Sequence, residues 1–224
     1  PEERVVLKID RIETINSHFS QTAALVKSPP YGGDFSDMDV YNVNVVIEDF
    51  CIIGVPFKGM KNEQTIIGDN SIIRSGTYIY AGNKIGKNFH TGNKVNIREL
   101  NVIGDNVSIG TLSVIEHNIT IHNGVRIHTQ AFIPEYTIIE KNCWIGPNVV
   151  FTNAKYPKHP KVKENLKGAY IQKNVKIGAN TTLLPGVVIG KHSLIGAGSV
   201  VIKNVASGLI VAGSPAKQIR KVDY

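Results

Sequence analysis

The stretch TIIGDNSIIRSGTYIYAGNKIGKNF, residues 65–89, returns an isoleucine every six residues. The same step continues from Ile67 to Ile145, and thirteen of the fourteen residues at this position are isoleucine. A second residue, mostly small or aliphatic, follows four positions later, as Ser71 follows Ile67. Neither the period of a helix nor the alternation of a strand fits this spacing. The chain is therefore built from internal repeats of six residues.

A six-residue repeat with one aliphatic plug predicts a coil of three short strands, with about eighteen residues per coil and a turn of roughly 120° after each strand. Asn or Gly occupies the turn position in most repeats, as at Asn70, Gly76 and Asn106. These residue types accept positive φ most readily. Successive coils would pair through backbone hydrogen bonds ~4.8 Å apart. The pattern predicts an all-β, parallel β-helix of about seven to eight coils.

Two irregular ends and one interruption divide the chain. Residues 1–40 lack the repeat, and their apolar spacing fits one helical face or strands equally well. The β-helix is expected to span residues 41–205. A loop at about 152–170 should protrude from it, because the repeat resumes at Ile171 out of phase by two residues. Residues 206–224 are expected to cap the prism.

Composition narrows the class of protein. The 224 residues, 42% of them hydrophobic, suit one domain with a sizeable core. No long apolar run or charged leader is present, which favours a cytoplasmic protein without a membrane span. Only Cys51 and Cys143 occur, both at inward positions, so a disulfide framework is not expected. The net charge of +7 suggests anionic partners, or only a solvated basic face, while the scattered basic residues argue against nucleic-acid binding.

The repeat units resemble a known family. IIGDNS at 66–71, IGDNVS at 103–108 and IGANTT at 177–182 are similar to the hexapeptide-repeat acyltransferases, and the resemblance covers roughly residues 41–220. It implies a left-handed β-helix, a homotrimer, and acyl-CoA bound in grooves between neighbouring prisms. Acetyl-CoA would then be a co-substrate, and no metal would be required.

The segment GPNVVFTNAKYP, residues 146–157, resembles the GP-x-x-V-F-T-N stretch of nucleotide-sugar N-acetyltransferases that serve surface-polysaccharide biosynthesis. The resemblance implies an acetyltransferase that acts on the amino group of a nucleotide-linked amino sugar. It makes Asn153 the active-site asparagine near the thioester. Candidate contacts to the nucleotide diphosphate or the sugar are Lys155, Tyr156, Lys158 and His159. The structural alternative is a solvated basic loop in which Asn153 only forms a turn.

Residues eighteen apart should lie above one another, which predicts a column at one corner formed by Glu99, His117, Glu135 and Asn153. Carboxylates that flank an imidazole favour its protonated form or orient one tautomer. His117 is therefore a candidate general base, with Glu135 or Glu99 as its orienting group. Alternatively the column is a surface ladder of opposite charges that contributes little. Asn153 is the stronger candidate, because a neutral amine attacks without a strong base.

The C-terminal segment VAGSPAKQIRKVDY, residues 211–224, resembles the closing motif of the family, which lies near the adenine and phosphates of CoA. The small residues Gly178, Ala179, Gly196 and Ala197 are expected to let a pantetheine arm approach the backbone closely. Phosphate contacts are expected from Lys203, Lys217 and Arg220. The alternative is that the glycines are structural and the basic tail is solvated.

Three other functions remain open. An O-acetyltransferase that acts on a sugar or serine hydroxyl would depend more strongly on His117 as a base. A γ-class carbonic anhydrase is suggested by the H-x4-H spacing of His117 and His122, but Ala81 stands where the third histidine of a zinc site would be needed. A non-catalytic scaffold is the third alternative.

Overall fold

The computed structural model describes residues 44–60 and 63–223; the predicted N-terminal segment 1–40 lies outside them. The strands, mostly two residues long, form three sheets. Face 1 contains, in stacking order, Val46–Ile47, Ile72–Ile73, His90–Thr91, Ser108–Ile109, Arg126–Ile127, Trp144–Ile145, Lys176–Ile177, Leu194–Ile195, Leu209–Gly213 and Ala216–Lys221. Face 2 contains Ile52–Val55, Tyr78–Tyr80, Asn96–Ile97, Val114–Ile115, Phe132–Ile133, Val150–Phe151, Thr182–Leu183 and Val200–Val201. Face 3 contains Ile66–Ile67, Lys84–Ile85, Val102–Ile103, Thr120–Ile121, Ile138–Ile139, Tyr170–Ile171 and Val188–Ile189.

Within the coils, each strand pairs in parallel with the strand one coil further along the chain. Ile109 is in register with Ile127, eighteen residues later, as the repeat predicts. Across the loop, Val150 is instead in register with Thr182, because the inserted residues leave the prism between the two strands. The predicted all-β, left-handed parallel β-helix is confirmed.

The isoleucine column forms the core of the prism. Ile115, Ile133 and Ile145 have no exposed surface, and the second position of the repeat is also inward. Burying each such side chain contributes roughly 1.5–3 kcal/mol. Cys51 and Cys143 are buried free thiols, as expected. Burial raises the pKa of the Cys143 thiol to about 12, which leaves no thiolate nucleophile at neutral pH.

The corners are turned by residues with positive φ. Asn70 and Asn106 have φ values of 55° and 57°, as the repeat predicts. Bulky residues share this conformation at two corners, Leu100 and Tyr136 between faces 2 and 3 and Phe50 and Leu112 between faces 1 and 2. Such backbone is unfavourable for large side chains, so the repeat imposes this conformation on the residue at the corner.

The insertion and the C-terminus depart from the repeat. The loop between Phe151 and Tyr170 includes a short 3-10 helix, Lys163–Asn165, and is tied back where the Lys167 N–H donates to the Asn153 carbonyl at 2.9 Å. Within the predicted cap, Leu209–Gly213 continues face 1 and Ala216–Lys221 folds back antiparallel to it. No helix in the described part of the chain is long and apolar enough to cross a membrane.

Candidate functional site

Charged side chains gather where face 2 turns into face 3, at the same corner from which the loop protrudes. We call this group the acidic corner; its members are Arg98, Glu99, Glu116, His117, Glu135 and Asn153. They come from four consecutive coils: the face 2 strands Asn96–Ile97 and Val114–Ile115 each deliver two residues of the group, and Phe132–Ile133 and Val150–Phe151 deliver one each. Parallel pairing one coil at a time therefore stacks residues that are eighteen apart in the sequence.

Glu135 joins the two strongest catalytic candidates. The Asn153 side-chain amide donates to Glu135 Oε2 at 2.6 Å. His117 Nε2 lies 3.6 Å from Glu135 Oε1. The predicted contact of His117, Glu135 and Asn153 is therefore present in the structure, and both carboxylate oxygens of Glu135 have a neighbour.

The other face of His117 is also occupied. Asn118 Nδ2 lies 2.8 Å from His117 Nδ1, so the amide donates and the ring nitrogen accepts. A neutral His117 then carries its proton on Nε2, the nitrogen that faces Glu135. The Tyr136 ring packs edge-on, with ring centroids 6.1 Å apart. In this tautomer neither nitrogen of His117 is a free base.

Glu99 is bound by Arg98 rather than by His117. The guanidinium of Arg98 donates to both oxygens of Glu99, at 2.9 and 3.0 Å, and its carbon lies 4.8 Å from the centre of the Tyr80 ring. Burial of Glu99 acts to raise the pKa of its carboxyl, but the hydrogen bonds from Arg98 and the backbone outweigh burial and lower this pKa. Glu99 is thus an ionised anchor for Arg98.

Glu116 belongs to the site although the sequence patterns did not single it out. Arg98 Nη1 lies 3.6 Å from its carboxylate, and the Glu116 side chain is 21% exposed. Burial and the negative charge of Glu135 raise the pKa of Glu116, against the attraction of Arg98. A half-buried carboxyl with a raised pKa is a candidate proton acceptor. Its position eighteen residues after Arg98 was the available signal.

Two buried asparagines lie beneath the acidic corner. Asn83 and Asn101 have no exposed surface, and both side-chain amides donate to the Arg98 carbonyl at 2.8 Å. Asn101 Oδ1 accepts from the Ile119 N–H at 2.8 Å, which ties this ladder to the coil of His117. Asparagine at an inward position, where the repeat normally holds a small or aliphatic residue, is the sequence signal for these residues.

The loop carries its four predicted contacts on its exposed surface. Lys155, Tyr156 and His159 line a cavity of about 400 Å³, together with Val162 and Asn165. Lys155 Nζ lies 5.3 Å from the centre of the Tyr156 ring. The Lys161 N–H donates to His159 Nδ1 at 3.1 Å, which leaves Nε2 of a neutral ring as the protonated nitrogen. Lys158, the fourth predicted contact, does not line this cavity.

The predicted cofactor residues fall into two groups. A groove of about 440 Å³ on face 1, which we call the face 1 groove, is lined by Trp144, Lys176, Gly178, Leu194, Ile195, Gly196 and Ala197. Ala179 follows Gly178 but does not line it. A Cβ at Gly178 would lie 2.5 Å from the Ala197 nitrogen, so packing against the next coil already requires glycine there.

The basic candidates lie at the C-terminal end of the prism. Lys203 and Lys217 line a common cavity of about 430 Å³. Arg220 forms an ion pair with Asp223 at 2.6 Å. The structure therefore brings Lys203 and Lys217 together, whereas Arg220 pairs with a carboxylate of the tail.

Among residues 44–60 and 63–223, no three His, Cys, Asp or Glu side chains come together as a metal site. His117 and His122 occupy different corners, because the face 3 strand Thr120–Ile121 runs between them. Ala81 is buried at the corresponding position two coils before His117. The H-x4-H spacing therefore does not gather a third ligand.

Comparison with known proteins agrees with this architecture. The family model "Bacterial transferase hexapeptide (six repeats)" matches residues 102–135 and 168–203. The galactoside O-acetyltransferase of Lactococcus lactis is 34% identical over 124 residues, which cover 54% of this chain and 55% of that protein. The 2,3,4,5-tetrahydropyridine-2,6-dicarboxylate N-acetyltransferase of Clostridium perfringens is 55% identical over 53 residues, 24% of this chain and 22% of that protein.

The chain thus spans little more than half the length of the galactoside O-acetyltransferase that it matches. A solved structure, the BC4754 gene product of Bacillus cereus, superposes with a TM-score of 0.53 at 25% identity and covers 63% of this chain and 78% of that one. The repeats, the β-helix and these relatives agree with one another. Over residues 102–135 and 168–203 the chain is therefore similar to the bacterial hexapeptide transferases.

Proposed function

We propose that this protein is an acetyl-CoA-dependent N-acetyltransferase whose acceptor is the amino group of a nucleotide-linked amino sugar. One observation carries the proposal: the acidic corner stacks three carboxylates on the coils that precede Asn153, with Glu135 in contact with Asn153, and it stands at the base of a lysine-rich loop. The named activities of the relatives, an O-acetyltransferase and an N-acetyltransferase, support acetyl transfer but differ in the acceptor.

The distribution of charge favours an amine over a hydroxyl. Glu99, Glu116 and Glu135 outnumber Arg98 at the corner, so the corner attracts a cation such as a sugar ammonium group. The adjacent loop carries five lysines and one glutamate between Phe151 and Tyr170 and attracts phosphate. An acceptor with an ammonium group at one end and a diphosphate at the other satisfies both surfaces.

The reaction that follows balances without a covalent enzyme intermediate. The substrate ammonium binds at Glu135 and gives a proton to a carboxylate of the acidic corner, Glu116 being the candidate with the raised pKa. The neutral amine attacks the thioester carbonyl; a C–N bond forms and the C–S bond breaks. CoA leaves as thiolate and takes up a proton. The second N–H of the Asn153 amide would stabilise the oxyanion.

His117 is assigned a positioning role in this scheme. With Nδ1 accepting from Asn118, the ring presents Nε2–H toward Glu135 and helps to hold that carboxylate. His117 can serve as the base only in the other tautomer, with the Asn118 amide reversed. An amine acceptor does not require that tautomer.

The proposed site needs two copies of the chain. The face 1 groove adjoins the corner between faces 1 and 2, whereas Asn153 lies at the opposite edge of face 2. A thioester in a groove of one prism therefore cannot reach Asn153 of the same prism across the face. Face 2 itself exposes Tyr78 and Phe132, at 43% and 37%. Burial of this apolar face in a homotrimer would set a groove beside the Asn153 of a neighbour.

The site of action follows from the co-substrates. Acetyl-CoA and nucleotide-linked sugars are cytoplasmic metabolites, so we place the reaction in the cytoplasm. Surface-polysaccharide biosynthesis is the process that consumes such N-acetylated sugars, and it is the proposed context.

The first experiment is calorimetric titration of metal-free protein with acetyl-CoA, with CoA and desulfo-CoA as controls. We expect saturable binding near one site per chain. Absence of binding under conditions where the protein is folded would overturn the proposed function.

The second experiment tests Asn153 in turnover. Asn153→Ala should lower kcat by about 10²–10³ with UDP- or dTDP-linked amino sugars, because one oxyanion donor is lost, while acetyl-CoA still binds. Asn123→Ala, at the exposed corner between faces 3 and 1, is the matched control and should keep wild-type kcat. An unchanged kcat in Asn153→Ala would refute its catalytic role.

O-acetylation is the second candidate, favoured by the presence of His117 beside Glu135 and by the similarity to a galactoside O-acetyltransferase. Paired acceptors that differ only in –NH2 or –OH at one carbon separate the two. His117→Ala should abolish turnover of a hydroxyl acceptor but leave a substantial rate with an amine, since the hydroxyl needs a base in the transition state.

A further inference from the structure

Trp144 forms the end of the face 1 groove that points toward the earlier coils. Its strand is followed on face 1 by those of Lys176 and Leu194, which supply the rest of the groove wall one and two coils further on. The Trp144 side chain remains 37% exposed beside the glycine and alanine backbone of the groove. The groove is therefore a short apolar channel with an indole at one end.

His128 stands behind this indole. Its ring centroid lies 4.6 Å from that of Trp144, with the planes inclined by 52°. Burial, together with the positive charge of Arg126, lowers the pKa of His128, so the ring is neutral at neutral pH. His128 Nε2 is buried without a hydrogen-bond partner, so the ring packs here as an uncharged plate. Trp144 and the neutral ring of His128 therefore bound the end of the groove through packing contacts, without a charged group.

The register places this end of the groove level with the catalytic asparagine. Trp144 and the strand Val150–Phe151 belong to one coil, and Asn153 lies at the corner that follows this strand. Rotation about an axis parallel to the prism leaves every residue at its own level. In a threefold assembly of this kind, the Trp144 end of one groove and the Asn153 of the adjacent copy therefore meet at the same height, where the thioester must lie.

Resting on the acetyl-CoA-dependent function proposed above, we propose that Trp144, held in place by His128, limits the acyl group of the donor to a short chain. The acyl group extends from the thioester toward the indole, and each added methylene must occupy the space of that ring. Steric exclusion in an apolar pocket typically discriminates about 10- to 200-fold per methylene group. Acetyl-CoA would fit, whereas hexanoyl-CoA would not.

The chain offers a direct probe, because Trp144 is its single tryptophan. Titration of the protein with acetyl-CoA should change the emission of Trp144, with the same midpoint that calorimetry gives for binding. CoA, which lacks the acyl group, should produce a smaller change. Saturable calorimetric binding without any change in emission would overturn the proposal while leaving the proposed function intact.

The second test compares acetyl-, butyryl- and hexanoyl-CoA. Trp144→Ala should raise the affinity for hexanoyl-CoA relative to acetyl-CoA by at least about tenfold. Trp144→Phe keeps a flat ring and should retain most of the wild-type preference for acetyl-CoA. It also controls for loss of folding in Trp144→Ala. His128→Ala should shift the preference in the same direction as Trp144→Ala, but by less. Ile138→Ala, an exposed aliphatic residue on face 3, is the matched control and should change nothing.

The outcomes separate the two proposals. If wild-type protein binds none of the acyl-CoA compounds, the proposed function fails. If it binds them all, and Trp144→Ala leaves their relative affinities unchanged while circular dichroism shows a folded protein, the role of Trp144 is wrong and the acyltransferase function stands.

Discussion

At the scale of single residues, the contacts of each carboxylate at the acidic corner determine the role that we assign to it. Arg98 donates hydrogen bonds to both oxygens of Glu99. One oxygen of Glu135 accepts from Asn153, and the other lies near His117. Among the described residues Glu116 forms one ion pair, with Arg98 at 3.6 Å. The least engaged carboxylate is thus also the one whose pKa burial raises.

A pH profile tests Glu116. As a base it must be ionised, so kcat/KM should fall as the pH drops through the pKa of Glu116, which lies above that of an ordinary glutamate. Glu116→Gln should lower kcat by about 10²-fold and remove this acid limb. The measurement is kcat/KM from pH 4 to 9 for both proteins. If the variant keeps the wild-type limb, the titrating group lies elsewhere.

Arg98 and Glu99 give a stability test with a defined sign. The pKa of Glu99 is lowered in the folded state, so ionised Glu99 stabilises the fold above its unfolded pKa, and this stability is lost as the pH falls through its folded pKa. Arg98→Met should remove the guanidinium and cost about 1–3 kcal/mol at pH 7. Urea unfolding at pH 7 and at acidic pH measures the difference. A loss that is equal at both pH values would contradict the ion-pair explanation.

At the scale of elements, the corner between faces 2 and 3 differs from the other two corners. It contains the buried ladder of Asn83 and Asn101 and the exit of the loop. An unpaired buried backbone group is costly, so the ladder holds the Arg98 backbone at a defined position. The rigid coils thereby support side chains that must keep their geometry.

Asn101→Leu tests this ladder. The substitution leaves the Ile119 N–H without its side-chain acceptor and should lower the free energy of unfolding by about 2–4 kcal/mol. It should also lower kcat, since Arg98 is repositioned. Ser71→Ala removes a buried hydroxyl of the same kind at the corner between faces 3 and 1, and should cost stability without affecting kcat. Equal kcat losses in both variants would show a general softening of the prism instead.

At the scale of the whole molecule, faces 2 and 3 are the candidate interfaces between copies of the chain. Both expose aliphatic and aromatic side chains, including Phe132 on face 2 and Ile138 on face 3, at 37% and 41%. The proposed site needs face 2 to be shared, because the groove and Asn153 lie at its two edges. Activity and assembly should therefore be lost together.

Sedimentation and turnover test this coupling. The 24.5 kDa chain should sediment as a particle of about three times that mass. Phe132→Glu should dissociate it and abolish turnover, because a charge cannot be buried in an apolar interface. Ile138→Glu is the matched control on face 3. Should Ile138→Glu dissociate the protein and Phe132→Glu leave it assembled, face 3 would be the interface and the proposed site would need a different pairing.

By itself the sequence determined the prism. A period of six with isoleucine at one position and Asn or Gly at the turns predicts a coil of three short strands, because each repeat specifies its own strand, its corner and its register with the next coil. The stacking of Glu135 on His117 and Asn153 also follows from the eighteen-residue coil, so much of the candidate site could be predicted. Motif resemblance led to the same corner through Asn153.

Only the tertiary structure decided how these side chains are engaged. Side-chain hydrogen bonds depend on rotamers and burial, which a repeat does not specify. The structure shows that Arg98 binds Glu99 and that the buried Asn83 and Asn101 lie beneath the corner. It also places Glu116 beside Arg98, which makes Glu116 a candidate base. The Trp144–His128 pair, sixteen residues apart and not one coil apart, likewise arises because the side chains of adjacent coils lean toward each other, and a fixed period does not show such a contact.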